Sequence, residues 1–91
     1  MSLLTKTLVI RNKLGIHARP ATQLAQLSAQ YDAQIMLEIG DKTADASSVL
    51  GLMLLEGQQG KSVIVSVTGT DAQQALDAVE ALICQNFNES A

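Results

Sequence analysis

Residues 12–21 read NKLGIHARPA, and within them a strand pattern gives way to a helix pattern. Upstream, residues 5–10 are rich in β-branched side chains and place Leu8 and Ile10 on one side of an extended chain. Downstream, small and apolar residues recur at helical spacing: Ala21, Leu24, Ala25 and Ser28. The sequence therefore predicts that a helix begins close to His17.

The start of this predicted helix is a candidate anion site. A helix start leaves about four backbone N–H groups without partners and carries roughly half a unit of positive charge. Pro20 fits the first turn because it gives up a hydrogen bond that the helix does not need there, and Gly15 can adopt a tight turn. The only histidine, His17, then lies where phosphate is attracted, beside the permanently charged Arg19. A neutral imidazole is a competent nucleophile, so this position can accept a phosphoryl group.

Simpler interpretations exist for the same residues. A single histidine near a helix start often serves as a cap or lies on the surface without a chemical role. Arg19 taken alone fits a solvated surface charge, and Gly15 fits an ordinary turn residue. The chemistry of these residues alone leaves both interpretations open.

Length and composition predict a single domain over residues 1–91 with an aliphatic core. Apolar residues make up 47% of the chain but aromatic residues only 2%, so the core is expected to consist of Leu, Ile, Val, Ala and Met. A core of this size is feasible without a metal or a disulfide. The single cysteine, Cys84, has no internal partner, which suits a reducing cytosol, and we interpret it as a small packing residue.

Charge and residue content exclude several classes of function. Six Lys and Arg against nine Asp and Glu give a net charge of −3, and stacking aromatic residues are scarce, which argues against nucleic-acid binding. No run approaches the ~18 apolar residues of a membrane span, and the first residues lack a signal-peptide pattern, so we expect a soluble cytoplasmic protein. One histidine and one cysteine among scattered carboxylates make neither a triad nor a metal cluster, so we expect no hydrolase, metal or cofactor.

The order of patterns predicts an α+β layer structure of the form βαββαβα, with three helices on one face of a four-stranded, mostly antiparallel sheet. Strands are predicted at 5–10, 34–39, 42–45 and 61–68, and helices at 18–30, 48–55 and from about 71 to the mid-80s. The inner faces are expected to carry Ile35, Leu37, Ile39, Val63, Val65, Val67, Ala72, Ala75, Leu76, Val79, Leu82 and Ile83. The last helix is expected to begin at a capping-box-like pair, Thr70 with Gln73 or Asp71 with Gln74, and residues 86–91 are expected to fray.

The predicted second helix has almost no polar side. A helix that is apolar all round must be covered on both sides or expose a patch to a partner. The sequence leaves both outcomes open, and we favour partial exposure because full coverage is difficult in so small a domain. Either Ser47 or Ser48 can cap its first turn.

The segment Gly15–Ala21 (GIHARPA) resembles the active-site signature of the HPr family, the histidine phosphocarriers of the bacterial phosphotransferase system. Residues 48–53 (SVLGLM) resemble the family's second helix, and residues 60–69 resemble its last strand. The resemblance implies an open-faced sandwich, with a strand order that the patterns do not supply. It also implies that His17 accepts phosphate, through Nδ1, from enzyme I and passes it to an enzyme IIA. Arg19 would be the supporting charge, and the residues around the phosphate would be Gly15, Ala18 and Pro20.

The same resemblance implies a docking surface and a regulatory position. Partners would contact Thr22, Gln23 and Gln26 on the first helix and Val49, Leu50, Gly51, Met53 and Leu54 on the second. Ser48 matches the serine that some members present to a serine kinase and phosphorylase. An ordinary N-cap is the simpler interpretation of Ser48, and Ser47 is the weaker candidate for modification.

The branch of the family stays open at this point. Sugar-transport members often carry lysines where this chain has Gln26 and Ala29, and residues 12–15 are more similar to the nitrogen-related branch, NPr. Residues 31–32 and 48–53 are more similar to ordinary HPr. We lean towards an NPr-like or regulatory protein, expected to be a monomer. The alternative function is a regulatory binding module that acts by contact through the apolar surface of the second helix.

Overall fold

The computed structural model of the chain describes residues 3–89, which form four strands, three α-helices and a short 3-10 turn. In chain order these are β1 (Leu4–Val9), α1 (Ala18–Ser28), β2 (Ala33–Ile39), β3 (Lys42–Asp45), α2 (Val49–Leu54), β4 (Ser62–Gly69) and α3 (Ala72–Cys84), followed by the 3-10 turn Asn86–Asn88. The predicted order of elements is confirmed, and the element bounds differ from prediction by at most two residues.

The four strands form one sheet in the order β1-β4-β2-β3, and each neighbouring pair is antiparallel. Leu37 at the centre of β2 lies opposite Val65 of β4 on one side and Ala44 of β3 on the other. Because side chains alternate between the two faces of a strand, this register brings the apolar residues of neighbouring strands onto the same face.

The core lies between that face and the helices. In β4 the side chains of Val63, Val65 and Val67 are fully buried, while Gln34 and Glu38 of β2 are exposed on the opposite face. Helix α3 packs across β1, β4 and β2, and α1 packs against α2 and α3. The predicted α+β architecture with one wet sheet face is therefore confirmed.

The composition of the core departs from prediction in two ways. Leucine, isoleucine, valine and alanine supply it as expected, but neither Met36 nor Met53 is buried. Phe87, the only phenylalanine, is completely buried. The prediction of a purely aliphatic core is therefore wrong at this position.

The start of α3 also differs from prediction. Asp71 is the N-cap residue but makes no side-chain cap, and its carboxylate accepts a hydrogen bond from the backbone N–H of Asp32 at 2.8 Å. Gln73 donates to Asp77 at 2.9 Å, within the helix. Neither predicted capping-box pair is formed: Asp71, not Thr70, is the N-cap residue, and its side chain bonds to Asp32 outside the helix.

The end of α3 and the segment after it correct two further expectations. Cys84 is exposed, not packed, because the preceding Ile83 occupies the buried position of the last turn. Residues 86–89 do not fray, because Phe87 is buried and fixes them against the domain. The rest of the segment predicted to fray, residues 90–91, lies outside the described residues.

The helices are short relative to a bilayer. The helix α3 has 13 residues, fewer than the ~20 that a span requires, and no helix within residues 3–89 meets that requirement.

Candidate phosphoryl-accepting site

The loop between β1 and α1 is fixed at both ends by the loop that precedes β4. At the first end, the backbone N–H of buried Ile10 donates to Lys61 at 3.0 Å and its carbonyl accepts from Gly60 at 2.8 Å. At the second end, the N–H of buried Ile16 donates to Gly57 at 2.8 Å. These contacts fix the position of the residue that follows, His17.

Gly15 makes the tight turn before that residue. Its φ is +67°, and an added Cβ would lie 1.9 Å from the carbonyl oxygen of Gly57. Glycine is therefore required here both for the left-handed backbone and for the close approach of two loops. The N–H of His17 bonds back to the Gly15 carbonyl at 3.1 Å, which confirms the turn predicted at this glycine.

Helix α1 begins at the predicted place. His17 is the N-cap residue with an extended backbone, and its carbonyl accepts from the N–H of Ala21 at 3.0 Å. The backbone N–H groups of Ala18 and Arg19 precede the first intrahelical donor, and Pro20 has no N–H. The first turn contains no acidic residue, so its positive end is not neutralised from within the helix.

The imidazole of His17 lies at the mouth of this helix, half-buried, with 34% of its side chain exposed. Its Nε2 is 2.5 Å from Oε2 of Glu89, near the end of the chain. The other oxygen of Glu89, Oε1, accepts a hydrogen bond from Nδ2 of Asn12 at 2.9 Å. Asn12 is completely buried and also donates from Nδ2 to the Gly15 carbonyl at 2.7 Å. The carboxylate of Glu89 therefore connects the ring of His17 to Asn12 in the loop between β1 and α1.

The charge of Glu89 follows from these contacts. The hydrogen bond from Asn12 is the main reason that the pKa of Glu89 lies below its ordinary value of 4.5. Partial burial opposes this shift, while the contact with His17 and the positive charge of Arg19 add to it. Glu89 is therefore ionised at neutral pH.

Sequence reasoning missed both Asn12 and Glu89 as members of this site. It assigned Asn12 no role in the site and placed Glu89 in the segment expected to fray. The only available signal was Phe87, since a single large apolar residue near a terminus is a candidate anchor.

The other predicted site residues surround the ring at different depths. Arg19 and Ala18 are exposed on the first turn of α1, and Pro20 is buried beneath them. Thr22 is exposed and its hydroxyl donates to the carbonyl of Ala18 at 2.8 Å. Further along α1, Gln26 is exposed but the predicted docking residue Gln23 is half-buried, and its Oε1 is fully buried.

Helix α2 divides its apolar residues between the core and the surface. Leu52 is fully buried and Val49 is half-buried, whereas Leu50 and Leu54 are 69% and 63% exposed, with Met53 at 41%. The expectation that α2 exposes part of its apolar surface is confirmed. Because α1 packs against α2, this exposed surface lies on the helix next to the one that presents His17.

Ser48 is the N-cap residue of α2. Its exposed hydroxyl oxygen accepts a hydrogen bond from the N–H of Gly51 at 3.0 Å. Ser47 does not cap, because its N–H and hydroxyl both bond to the carboxylate of Asp45, at 2.8 and 2.7 Å. The interpretation of Ser48 as an N-cap is confirmed.

Residues 4–85 match the model of the family described as the phosphorylation site of the PTS HPr component. The phosphocarrier protein NPr of Shewanella violacea is 46% identical over 91 residues, covering 100% of this chain and 100% of that protein. The phosphocarrier protein NPr of Escherichia coli K12 is 41% identical over 85 residues, covering 92% of this chain and 94% of that protein. Among solved structures, HPr-C-His from Thermoanaerobacter tengcongensis superposes with a TM-score of 0.91 at 36% identity, covering 97% of this chain and 99% of that one.

Proposed function

The chain belongs to the HPr family of phosphocarriers of the bacterial phosphotransferase system, and we propose that His17 is the residue that carries the phosphoryl group. On this proposal His17 receives the group from enzyme I and passes it to an enzyme IIA. The observation that carries the proposal is the partly exposed imidazole at the N-cap of α1, beside a first turn that contains no acidic residue.

The transfer needs a lone pair on a ring nitrogen and hydrogen-bond donors for the phosphoryl oxygens. A ring nitrogen forms a bond to phosphorus while the bond between phosphorus and the donor breaks, and that electron pair leaves with the donor. The backbone N–H groups of Ala18 and Arg19 and the guanidinium of Arg19 stabilise the phosphoryl oxygens. In the onward step the acceptor forms a bond to phosphorus while the N–P bond breaks, and the electron pair of that bond returns to the ring.

The partial exposure of His17 fits a carrier. Donor and acceptor must each reach the same nitrogen, so a deep cleft would exclude both of them. With 34% of its side chain exposed, the ring is reachable by a partner and is still held in place by its neighbours.

We propose that partners dock on the surface formed by exposed residues of α1 and α2. It combines polar Thr22 and Gln26 with apolar Leu50, Met53 and Leu54, and exposed apolar area of this kind favours protein contacts. The same surface supports the second candidate function, a module that regulates a partner by contact alone. Binding that survives His17→Ala and is lost in Leu50→Asp would favour that module.

For the branch, we propose the nitrogen-related one. Relatives named NPr match at 46% and 41% identity, and Gln26 and Ala29 stand where sugar-transport members often carry lysines. A cytoplasmic location and a monomeric state are part of the same proposal. We also propose that Ser48 can be modified by a serine kinase, because its hydroxyl is exposed. The same hydroxyl serves as the cap of α2, so modification would have to replace that contact.

The decisive experiment is phosphorylation by purified enzyme I and phosphoenolpyruvate, followed by intact-mass measurement. We expect wild type to gain one phosphate that is lost in acid and retained in base, and His17→Ala to gain none. Because His17 is the only histidine, no second imidazole can take its place. A wild type that gains no phosphate, or a His17→Ala variant that still gains it, would contradict the proposal.

A further inference from the structure

The tail after α3 turns back towards His17. Asn86, Phe87 and Asn88 all have left-handed backbone angles, with φ of 57°, 53° and 63°. The buried ring of Phe87 anchors this turn in the core. The turn brings the carboxylate of Glu89 onto the imidazole, and only 13% of the Glu89 side chain remains exposed.

The Glu89 contact determines which ring nitrogen carries the proton. An ionised carboxylate can only accept hydrogen bonds, so the Nε2 that lies 2.5 Å from Oε2 must donate. A neutral imidazole has one N–H and one lone pair. With the hydrogen on Nε2, the lone pair is on Nδ1.

Asn12 removes the remaining freedom of the carboxylate. Its Nδ2 donates both to the Gly15 carbonyl and to Oε1 of Glu89, and both of these groups only accept. The orientation of the Asn12 amide is therefore fixed, and Oε2 of Glu89 is left facing the ring.

We propose that Glu89 is a positioning residue whose carboxylate holds the Nε2–H form of His17, so that Nδ1 is the nitrogen that bonds phosphorus. This inference rests on the proposed function for its chemical consequence, but the form of the ring can be measured without any partner.

The arrangement lets the phosphoryl group arrive and leave without moving a proton. When the Nδ1 lone pair bonds phosphorus, Nε2 keeps its hydrogen and the ring becomes positive, facing the negative carboxylate of Glu89. When the group leaves, the electron pair of the N–P bond returns to Nδ1 and the ring is again neutral with Nε2–H. Each transfer is then a single exchange of bonds at phosphorus.

The substitution Glu89→Gln tests this assignment because the geometry dictates which way the new amide points. Asn12 must still donate, so the carbonyl oxygen of the glutamine takes the place of Oε1. Its NH₂ group then faces His17, and Nε2 must accept. Glu89→Gln therefore inverts the ring to the Nδ1–H form and removes the attacking lone pair.

The measurement is long-range ¹H–¹⁵N NMR of the single histidine ring at alkaline pH, where the ring is neutral. We expect the Nε2–H pattern in wild type and in Glu80→Gln, a control that removes the same charge at the distant ion pair with Lys6. We expect mainly the Nδ1–H pattern in Glu89→Gln. A well-dispersed backbone amide spectrum will show that each variant is folded.

The kinetic counterpart is the rate of phosphorylation by enzyme I. We expect kcat to fall by about tenfold or more in Glu89→Gln with KM little changed, since the docking residues are untouched. Glu89→Ala, which lacks the opposing amide, should lose less. A merely structural role predicts that alanine is at least as harmful as glutamine.

The outcomes separate the inference from the proposed function. If wild type is phosphorylated but Glu89→Gln keeps the Nε2–H pattern, or transfers at the wild-type rate, the role of Glu89 is wrong and His17 remains the carrier. If wild type takes no phosphate, the carrier role of His17 fails. The hold of Glu89 on the ring is then decided by NMR alone: inversion in Glu89→Gln supports it, and an unchanged Nε2–H pattern overturns it.

Discussion

Replacing Gly15 by alanine should be the most damaging single-methyl change in the loop that presents His17. The new Cβ would lie 1.9 Å from the Gly57 carbonyl oxygen and 3.0 Å from Cα of Gln58, and both are backbone atoms that cannot rotate away. The two loops must separate, which breaks the 2.8 Å hydrogen bond from Ile16 to Gly57.

The size of the effect can be estimated from two costs. A left-handed backbone costs a non-glycine residue about 1–2 kcal/mol, and leaving the buried Ile16 N–H without a partner costs about 1–3 kcal/mol. The expected loss for Gly15→Ala is therefore about 3 kcal/mol. For a domain of this size that corresponds to a melting temperature lower by roughly 12–24 °C.

Gly40 provides a matched control. It also has a positive φ, of 62°, but an added Cβ would meet no atom within 4 Å. Gly40→Ala should therefore lose only the backbone cost, about 1–2 kcal/mol. The difference between the two variants isolates the cost of the contact between the loops.

The assay is urea-induced unfolding of wild type and both variants, with the free energy of unfolding taken from the linear dependence on urea. Equal slopes would indicate that the unfolded states are comparable. If the two variants lose the same stability to within about 0.5 kcal/mol, the close approach of Gly15 to Gly57 does not contribute to the fold, and the reasoning is wrong.

Changes at Arg19, Ser48, Leu50 and Glu89 should each have a separate measurable effect. Arg19→Ala should slow phosphorylation by enzyme I by about tenfold, because Arg19 lies on the first turn of α1. Replacing the exposed Arg11 by alanine should leave the rate unchanged. Ser48→Ala should cost about 1 kcal/mol in urea unfolding, whereas Ser48→Asp should keep the cap and the stability. Leu50→Asp should change stability by less than about 0.5 kcal/mol yet weaken enzyme I binding in calorimetry, since its side chain is 69% exposed. Because the pKa of Glu89 is lowered in the fold, its stabilising contribution should be complete above the ordinary value of 4.5 and disappear as pH falls through the folded value. Unfolding of wild type and Glu89→Gln across this pH range measures that loss; a difference that does not shrink in acid would contradict it.

The strands could be predicted because each has a single buried face. The alternation through Val63, Val65 and Val67 is a local signal, and the structure buries all three completely. The start of α1 was equally local, since Gly15 permits the tight turn before His17 and Pro20 fits the first helical turn after it.

Helix α2 lies at the limit of what composition can predict. Its residues are almost all apolar, so no polar side marks the outward face. The sequence favoured partial exposure but could not say which residues would be exposed. The structure buries Leu52 and exposes Leu50 and Leu54. That division depends on which side of the helix meets β3 and α1, a property of the whole fold.

The contact between Glu89 and His17 could not be predicted, because it joins residues 72 positions apart through a turn that most sequences avoid. Three consecutive left-handed residues carry a cost of about 1–2 kcal/mol each for ordinary side chains. Two of the three are asparagines, which tolerate this conformation best after glycine, so most of the cost falls on Phe87. Burying that side chain contributes about 1.5–3 kcal/mol in return. The backbone cost and the gain from burying Phe87 are nearly equal, so the polar composition of this segment led to the prediction that it frays. The burial of Phe87 holds the segment in place and brings the carboxylate of Glu89 to the ring.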